Sequence, residues 1–256
     1  MKTVIDETER LVIVTEADGA ERRYPMASAE GFAAASRAWL RAGWDAKHVY
    51  SFTWLGRPMI QLPEDMVRLQ EIIHAERPDV VVETGVAHGV SLVFYASLFE
   101  AMGHGRVIGI DIDIRPANRA AIEAHAMASR IALIQGSSTS PEVLRRLDEL
   151  IAPDERVLVV LDSNHGRDHV LAELRAYARF LQVGGRMVAA DGIMQDLAGA
   201  PRSQPDWSWN NPREAARAFV AEDDRFVIDE PTWLFNEGSA RDRVTYWPGC
   251  YVTRVR

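Results

Sequence analysis

The stretch VVETGVAHGVS, residues 81–91, contains the pattern that decides the fold. A run of apolar residues ends in Glu83, Gly85 follows two residues later, and Gly89 precedes a segment with helical spacing. A buried strand, a glycine turn and a helix in this order are typical of the first unit of a doubly wound α/β sheet, in which the turn faces a ligand. The identity of that ligand depends on the residues downstream.

Downstream of this stretch, short apolar runs alternate with segments of helical spacing. The predicted strands are residues 80–83, 106–111, 131–136, 156–162 and 186–191, and the predicted helices are residues 90–102, 116–128, 140–151 and 168–182. Apolar strands separated by helices indicate a mostly parallel sheet covered on both faces. Two final runs, 225–230 and 245–255, predict an antiparallel pair at one sheet edge, since only a loop joins them. We therefore predict an α/β fold with a doubly wound, Rossmann-like sheet.

The residues before this sheet form an N-terminal extension. Their patterns predict a hairpin at residues 10–26, a helix at 28–42 and an aromatic connector at 49–65. Pro63 predicts the start of the next helix. The backbone N–H groups of the first helical turn have no partner within the helix, so a proline, which lacks this group, is tolerated there. We therefore expect a hairpin and helical extension at residues 1–62 and a ligand-binding domain at residues 63–256.

Composition and charge exclude several classes of protein. Hydrophobic residues make up 47% and charged residues 26%, as in ordinary globular proteins. A net charge of −8 argues against a nucleic-acid partner. The single cysteine, Cys250, excludes an intramolecular disulfide and a cysteine-cluster metal site. Neither a leader-like apolar segment nor a membrane-spanning run is present, so we expect a cytoplasmic protein without a membrane partner.

Polar residues follow the ends of all five predicted parallel strands. In chain order they are Glu83, Asp111, the pair Ser137 and Ser138, Asp162, and Asp191. A single acid at a strand end is common, because strand ends often reach the solvent. Because the carboxyl ends of parallel strands meet at one crevice, four acids at five strand ends instead indicate a shared binding site.

The glycine pattern discriminates between adenine-containing ligands. Asp111 lies 22 residues after Gly89, where an acid that binds ribose hydroxyls belongs. Dinucleotide-binding turns need a middle glycine so that the backbone can approach a pyrophosphate, but Ala87 occupies that place. A carboxylate at Glu83 would also repel a pyrophosphate. S-adenosylmethionine fits better, because it combines an adenosine with a cationic amino-acid end and has no phosphate.

Two longer stretches carry a family resemblance. They are TWLGRPMIQLPEDMVRLQEIIHAERPDVVVETGVAHGVSLVFYASL at residues 53–98 and VLVVLDSNHGRDHVLAELRAYARFLQVGGRMVAAD at residues 157–191. They resemble the family known as cephalosporin hydroxylases, whose members are similar to class I S-adenosylmethionine-dependent O-methyltransferases. Sugar O-methyltransferases that act on macrolides and rhamnosyl groups are among the similar enzymes. The resemblance covers roughly residues 50–195, and "ETG" together with "LDSNH" makes it specific.

The resemblance implies a role for each cofactor-binding candidate. Glu83, Gly85 and Ser91 would surround the methionine part of S-adenosylmethionine, and Ala87, Gly89 and Asp162 are further predicted cofactor-binding residues. Asp111 would hold the ribose, and Ser137 or Ser138 would lie near the adenine. The turn departs from the usual pattern at Val90, where relatives have a second glycine.

The resemblance also implies a divalent metal, usually Mg²⁺, held by acids after the fourth and fifth strands. Asp162 and Asp191 match those positions, with Asn164 or His165 as a further ligand. Many relatives carry a second acid directly before the last ligand, whereas this chain has Ala190. That departure leaves two carboxylates, which hold Mg²⁺ less strongly than three.

Methyl transfer to an alcohol requires activation of a poor oxygen nucleophile, by a base, by a metal or by both. We expect Asp162 to act as a catalytic metal ligand, and His165 to act as the general base because the unperturbed pKa of histidine lies near neutrality. Trp54, Trp207 and Trp209 lie in loops, where they either stack on a sugar or bury the loops against the protein. We expect a small-molecule hydroxyl acceptor, a sugar or glycoside of natural-product or glycan biosynthesis, and a homo-oligomer.

Two alternatives remain open from the sequence. A non-haem iron hydroxylase requires two histidines and a carboxylate on one face, and HGRDH at residues 165–169 supplies such residues. A non-catalytic S-adenosylmethionine-binding module, whose metal site decayed at Ala190, would retain the cofactor residues without turnover.

Overall fold

The computed structural model describes residues 2–256, and its N-terminal part contains a small antiparallel sheet with one helix packed on it. The sheet consists of β1 (Lys2–Asp6), β2 (Leu11–Thr15) and β3 (Glu21–Pro25) in that order. Helix α1 (Ala29–Asp45) follows, capped by the hydroxyl of Ser28. Val12 and Val14 of the central strand pack against the helix in a small separate cluster. The predicted hairpin is confirmed, and β1 extends it to three strands.

The predicted connector contains a short hairpin that the sequence analysis missed. Strands β4 (Phe52–Trp54) and β5 (Arg57–Met59) pair in antiparallel fashion around a turn at Gly56, whose φ is +84°. Helix α2 (Pro63–Glu76) follows and begins at the expected proline. A mean strand is about twice as long, so two three-residue strands leave little alternation to detect.

Seven strands form the main sheet. In chain order they are β6 (Val80–Thr84), β7 (Arg106–Asp111), β8 (Ile131–Gln135), β9 (Val157–Leu161), β10 (Arg186–Ala189), β11 (Phe226–Ile228) and β12 (Tyr251–Arg254). The spatial order is β11-β12-β10-β9-β6-β7-β8. The first five strands are parallel, whereas β12 lies antiparallel between β10 and β11. This arrangement confirms the predicted doubly wound sheet and its antiparallel edge.

Five helices accompany this sheet: α3 (Val90–Met102), α4 (Pro116–Glu123), α5 (Pro141–Leu150), α6 (Arg167–Tyr177) and α7 (Pro212–Glu222). Three predicted boundaries are wrong. Helix α6 was expected to reach residue 182 but ends at Tyr177, where a 3₁₀ turn over Ala178–Phe180 follows. Helix α4 was expected to reach residue 128, but the imidazole of His125 accepts a hydrogen bond from the N–H of Met127 and the chain turns there. The last strand was expected from residue 245, but Pro248 and Gly249, at φ +71°, delay it to Tyr251.

The main core joins the sheet to part of the extension. Every residue of β6 and β9 is buried, and the apolar runs at residues 80–82 and 157–161 belong to this core. Leu40, Met59 and Leu62 of the extension belong to the same cluster. The division at residue 62 therefore stays a prediction.

Within residues 2–256, no helix combines the length and the apolar character required to cross a membrane.

Candidate cofactor and metal site

A crevice at the carboxyl ends of β6, β7, β8 and β9 brings most of the predicted site residues together. Its cavity has a volume of about 600 Å³. The strand order turns at β6, which pairs with β7 on one side and β9 on the other, and ligands of doubly wound sheets bind at such a point. The predicted residues that line the cavity are Gly85, Ala87, Asp111, Ser137, Ser138, Asp162 and Asn164.

The glycine turn packs tightly against the neighbouring strand β9. Gly85 has φ +93°, and a Cβ placed there would lie 2.6 Å from the carbonyl carbon of Asp162. A Cβ at Gly89, at φ +76°, would meet the side chain of Ile122. Ala87 also has positive φ, +44°, which is uncommon for a residue with a side chain. The turn is therefore a strained, closely packed segment, as expected for a backbone that approaches a ligand.

Asp111 connects strand β7 to the glycine turn. One carboxylate oxygen accepts hydrogen bonds from the backbone N–H groups of Val86 (2.8 Å) and Ala87 (3.3 Å). The other accepts from the N–H of Asp113 at 3.0 Å. The side chain is partly buried at the cavity wall. Its role as the ribose ligand stays a prediction.

Glu83 lies fully buried beneath the turn. Its carboxyl group accepts hydrogen bonds from the hydroxyls of Ser91 and of Tyr95, the latter at 3.0 Å. Burial, reinforced by the negative charge of Asp162, raises the pKa of Glu83 well above its ordinary value. Sequence reasoning missed Tyr95, although its position one helical turn after Ser91 places both hydroxyls on one face of α3.

A small hollow adjoins the main cavity on the other side of the turn. It has a volume of about 50 Å³, and Gln61, Gly85, Ser91 and Asp162 are among the residues that line it. The amide of Gln61 donates a hydrogen bond to Asp162 at 3.1 Å. Gln61 belongs to the extension as predicted, so this part of the chain reaches the site directly.

Three side chains could hold a metal ion. Ligand atoms of Asp162, His165 and Asp191 all lie within 4.8 Å of one another. The Nε2 atom of His165 is 3.6 Å from a carboxylate oxygen of Asp191. Burial and the charge of Asp191 raise the pKa of Asp162 to about 7. Asp191 itself has φ +64°, which turns the chain sharply at the end of β10.

Asn164 and Ala190 lie beside this cluster. The side-chain oxygen of Asn164 accepts a hydrogen bond from the N–H of Gly166 at 2.8 Å, while the residue lines the cavity. Its role as a metal ligand stays a prediction. Ala190 is buried and places no polar atom beside Asp191. The arrangement instead favours His165, the other predicted candidate, as the third member.

The residues of HGRDH do not form the triad that an iron oxygenase requires. His169 lies outside the metal cluster, with its Nε2 atom 3.3 Å from a carboxylate oxygen of Glu173. That carboxylate raises the pKa of His169. Asp168 is exposed and pairs with Arg167. Only one histidine therefore joins the acids among residues 2–256, which argues against the hydroxylase alternative.

The three loop tryptophans differ in their surroundings. Trp54 donates a hydrogen bond to Ser97 at 3.2 Å and packs edge-on against Phe94. Trp207 packs edge-on against Trp44. These two side chains bury their loops against the protein. Trp209 is 60% exposed and remains available for another contact.

Comparison with known families decides the classification. The profile described as "Rhamnosyl O-methyltransferase/CmcI" matches residues 46–255, which is most of the chain. The chain belongs to this family. Its membership confirms the resemblance drawn from the two sequence stretches, and with it the assignment to an O-methyltransferase family.

Curated proteins with a related name are similar to this chain at modest identity. The Rhamnosyl O-methyltransferase of Mycobacterium leprae (strain TN) is 27% identical over 172 residues, which cover 66% of this chain and 71% of the relative. The Rhamnosyl O-methyltransferase of Mycobacterium tuberculosis (strain ATCC 25618 / H37Rv) is 26% identical over 173 residues, which cover 66% of each. The chain thus spans about two thirds of the length of these relatives.

Solved structures confirm the fold. The structure described as "cmcI-D160 Mg-SAM" matches with a TM-score of 0.54 and 22% identity, over 81% of this chain and 78% of the other. MycE, from the mycinamycin biosynthetic pathway and in complex with Mg, SAH and mycinamycin VI, matches with a TM-score of 0.51 and 17% identity. That match covers 94% of this chain and 68% of MycE.

Proposed function

We propose that this chain transfers a methyl group from S-adenosylmethionine to a hydroxyl of a sugar or glycosylated small molecule, with the help of Mg²⁺. The observation that carries the proposal is the position of the metal cluster. Asp162 belongs both to the cluster with Asp191 and His165 and to the wall of the 600 Å³ cavity. A cofactor in the cavity would therefore lie beside the side chains that would hold a cation, so the methyl donor and an acceptor hydroxyl activated there would be close together.

The cavity fits S-adenosylmethionine in size and in polarity. Its volume lies within the usual range for small-molecule sites. Burial raises the pKa of Glu83 beneath the turn, and a cationic amino-acid end or sulfonium bound there would favour its ionised form and that of Asp162. Asp111 stands at the end of β7, in position to accept hydrogen bonds from ribose hydroxyls. Two solved structures of similar fold support the same assignment, one described with Mg and SAM and the other with Mg and SAH.

The donor set also fits a divalent cation. Asp162 and Asp191 approach each other without an arginine or lysine between them, and their mutual repulsion contributes to the raised pKa of Asp162. A bound cation would remove that repulsion. Mg²⁺ uses few protein carboxylates and keeps open positions for substrate oxygens, and it would lower the pKa of a bound hydroxyl. Asp162 and Asp191 would hold it, with Asn164 as the further ligand, which leaves His165 for proton transfer.

His165 is the proposed general base. It is partly buried at the cluster, and its Nε2 atom lies 3.6 Å from Asp191, close enough for that carboxylate to stabilise a protonated imidazole. Removal of the proton from the acceptor hydroxyl by His165 would make the oxygen a better nucleophile. If Asn164 completes the metal site, His165 remains free for this role.

The acceptor class rests on the family. Its curated relatives are named Rhamnosyl O-methyltransferases, and MycE was solved with mycinamycin VI. Trp209, exposed in the loop after Asp191, offers an aromatic face on which a sugar ring stacks. We propose a glycosylated natural product or glycolipid as the acceptor, cytoplasmic action and association into a homo-oligomer.

A methyl-transfer assay tests this function. The purified chain is incubated with methyl-labelled S-adenosylmethionine and a panel of rhamnosylated lipids and macrolide glycosides, with Mg²⁺ or with a chelator. We expect label in one acceptor class, loss of transfer with chelator, and loss in Asp191→Asn. Binding of S-adenosylhomocysteine without Mg²⁺ affinity would instead identify a non-catalytic module whose metal site decayed at Ala190.

A further inference from the structure

His169 occupies a position in the cavity that the catalytic account does not use. The cavity extends from the glycine turn past Asp111 to Ser138, which follows strand β8. If the amino-acid end of the cofactor lies at the turn and its ribose at Asp111, the purine lies toward Ser138, because the ribose joins the two ends. His169 lines this same cavity and reaches Ser138 from helix α6.

One nitrogen of His169 is fully engaged by the protein. Nε2 lies 3.3 Å from a carboxylate oxygen of Glu173, 3.3 Å from the hydroxyl of Ser163 and 3.4 Å from the hydroxyl of Ser138. Glu173 is completely buried and also accepts a hydrogen bond from Ser163 at 2.8 Å. Among the hydrogen bonds of residues 2–256, none uses Nδ1 of His169. The ring is 31% exposed, at the cavity wall.

This arrangement determines which ring nitrogen can accept a hydrogen bond. The strongest acceptor beside Nε2 is the carboxylate of Glu173, so the neutral imidazole carries its proton on Nε2. Nδ1 then presents a lone pair. An exocyclic amine at the 6-position of a purine donates to such an atom, whereas a 6-oxo group presents a second lone pair and leaves both atoms without a partner.

We propose that neutral His169 selects a 6-aminopurine in the cofactor cavity by accepting a hydrogen bond at Nδ1, and that Glu173 is the positioning residue that fixes this tautomer. The inference rests on the proposed S-adenosylmethionine cofactor and adds a specificity-determining residue to it. A cofactor whose adenine has been deaminated to hypoxanthine is therefore rejected.

Calorimetric titration with two ligands that differ at one position tests the proposal. S-adenosylhomocysteine and S-inosylhomocysteine are titrated into the chain at several pH values from about 7.5 to 9.5, because Glu173 raises the pKa of His169 and only the neutral imidazole presents a lone pair at Nδ1. We expect the wild type to bind the adenine compound at least roughly tenfold more tightly than the hypoxanthine compound. This is the effect of leaving one buried hydrogen-bonding group without a partner. In His169→Ala, the ratio of the two affinities should approach one. His74→Ala, on the exposed face of α2, is the matched histidine control and should keep the wild-type ratio.

A second variant tests the role of Glu173. In Glu173→Gln, the side-chain amide both donates and accepts, so it no longer fixes the proton on Nε2, and the preference for adenine should narrow while His169 is still present. The readout is the ratio of two affinities, which a general loss of packing does not move. A wild-type preference that persists in His169→Ala would overturn the proposal and leave the proposed function intact. Binding of neither ligand by the wild type would overturn both.

Discussion

Gly85→Ala tests the contact on which the site depends, between the glycine turn and the end of β9. The new Cβ would lie 2.6 Å from the carbonyl carbon of Asp162, in backbone whose φ is +93°. Positive φ costs a residue with a side chain about 1–2 kcal/mol. Overpacking against a backbone that cannot rotate away adds about 1–3 kcal/mol. The expected loss in the free energy of unfolding is therefore about 2–5 kcal/mol.

Gly103→Ala provides the matched control. Gly103 also has positive φ, +74°, but a Cβ there meets nothing within 4 Å. It therefore bears the backbone cost of about 1–2 kcal/mol without the overlap. Both substitutions restrict the unfolded chain equally, so that effect cancels between them. Urea denaturation, followed by tryptophan fluorescence, should place Gly85→Ala below Gly103→Ala by about 1–3 kcal/mol. Equal losses would refute the close packing of the turn on Asp162.

Three further predictions follow from the charged groups. Burial raises the pKa of Asp65 to about 7, so between pH 4 and 7 the folded state holds a proton that the unfolded chain releases. Stability should therefore fall as pH rises through this window, and Asp65→Asn should flatten the slope by up to about 1.4 kcal/mol per pH unit in denaturation curves. The pKa of Asp162 is raised to about 7, and a carboxylate must lose its proton to bind a metal, so the affinity for Mg²⁺ should weaken about tenfold for each pH unit below that value. A pH-independent affinity for Mg²⁺ in calorimetry would contradict the role of Asp162 as a metal ligand. His165→Gln should lower turnover by about 10²–10⁴-fold with little change in the affinity for S-adenosylhomocysteine; unchanged turnover would remove His165 as the base.

The main sheet could be predicted from the sequence because its strands are buried on both faces. Every residue of Val80–Thr84 and Val157–Leu161 is buried, and the apolar runs at residues 80–82 and 157–161 stand out from the amphipathic helices around them. The short pair β4 and β5 could not be predicted in the same way. Three residues give too little alternation, and only one of the six residues, Met59, is fully buried.

The convergence of the acids could be predicted, because locating the parallel strands in the sequence also locates their carboxyl ends. Asp111, Asp162 and Asp191 follow β7, β9 and β10, so the sheet itself brings them to one edge. Side-chain contacts were less predictable. His169 and Glu173 lie four residues apart on α6, so their contact follows from the helical period, whereas the position of the pair at the cavity depends on the rotation of α6 against the sheet. The contact of Gln61 with Asp162 spans 101 residues and depends on how the extension packs.

Calorimetric titration of the chain with S-adenosylhomocysteine, with and without Mg²⁺, tests the central claim most directly. The account predicts binding by the wild type, loss of cofactor binding in Asp111→Ala, and loss of Mg²⁺ binding but not of cofactor binding in Asp191→Asn. An absence of binding by the folded wild type, or full affinity in Asp111→Ala, would contradict the assignment of the crevice as the cofactor site.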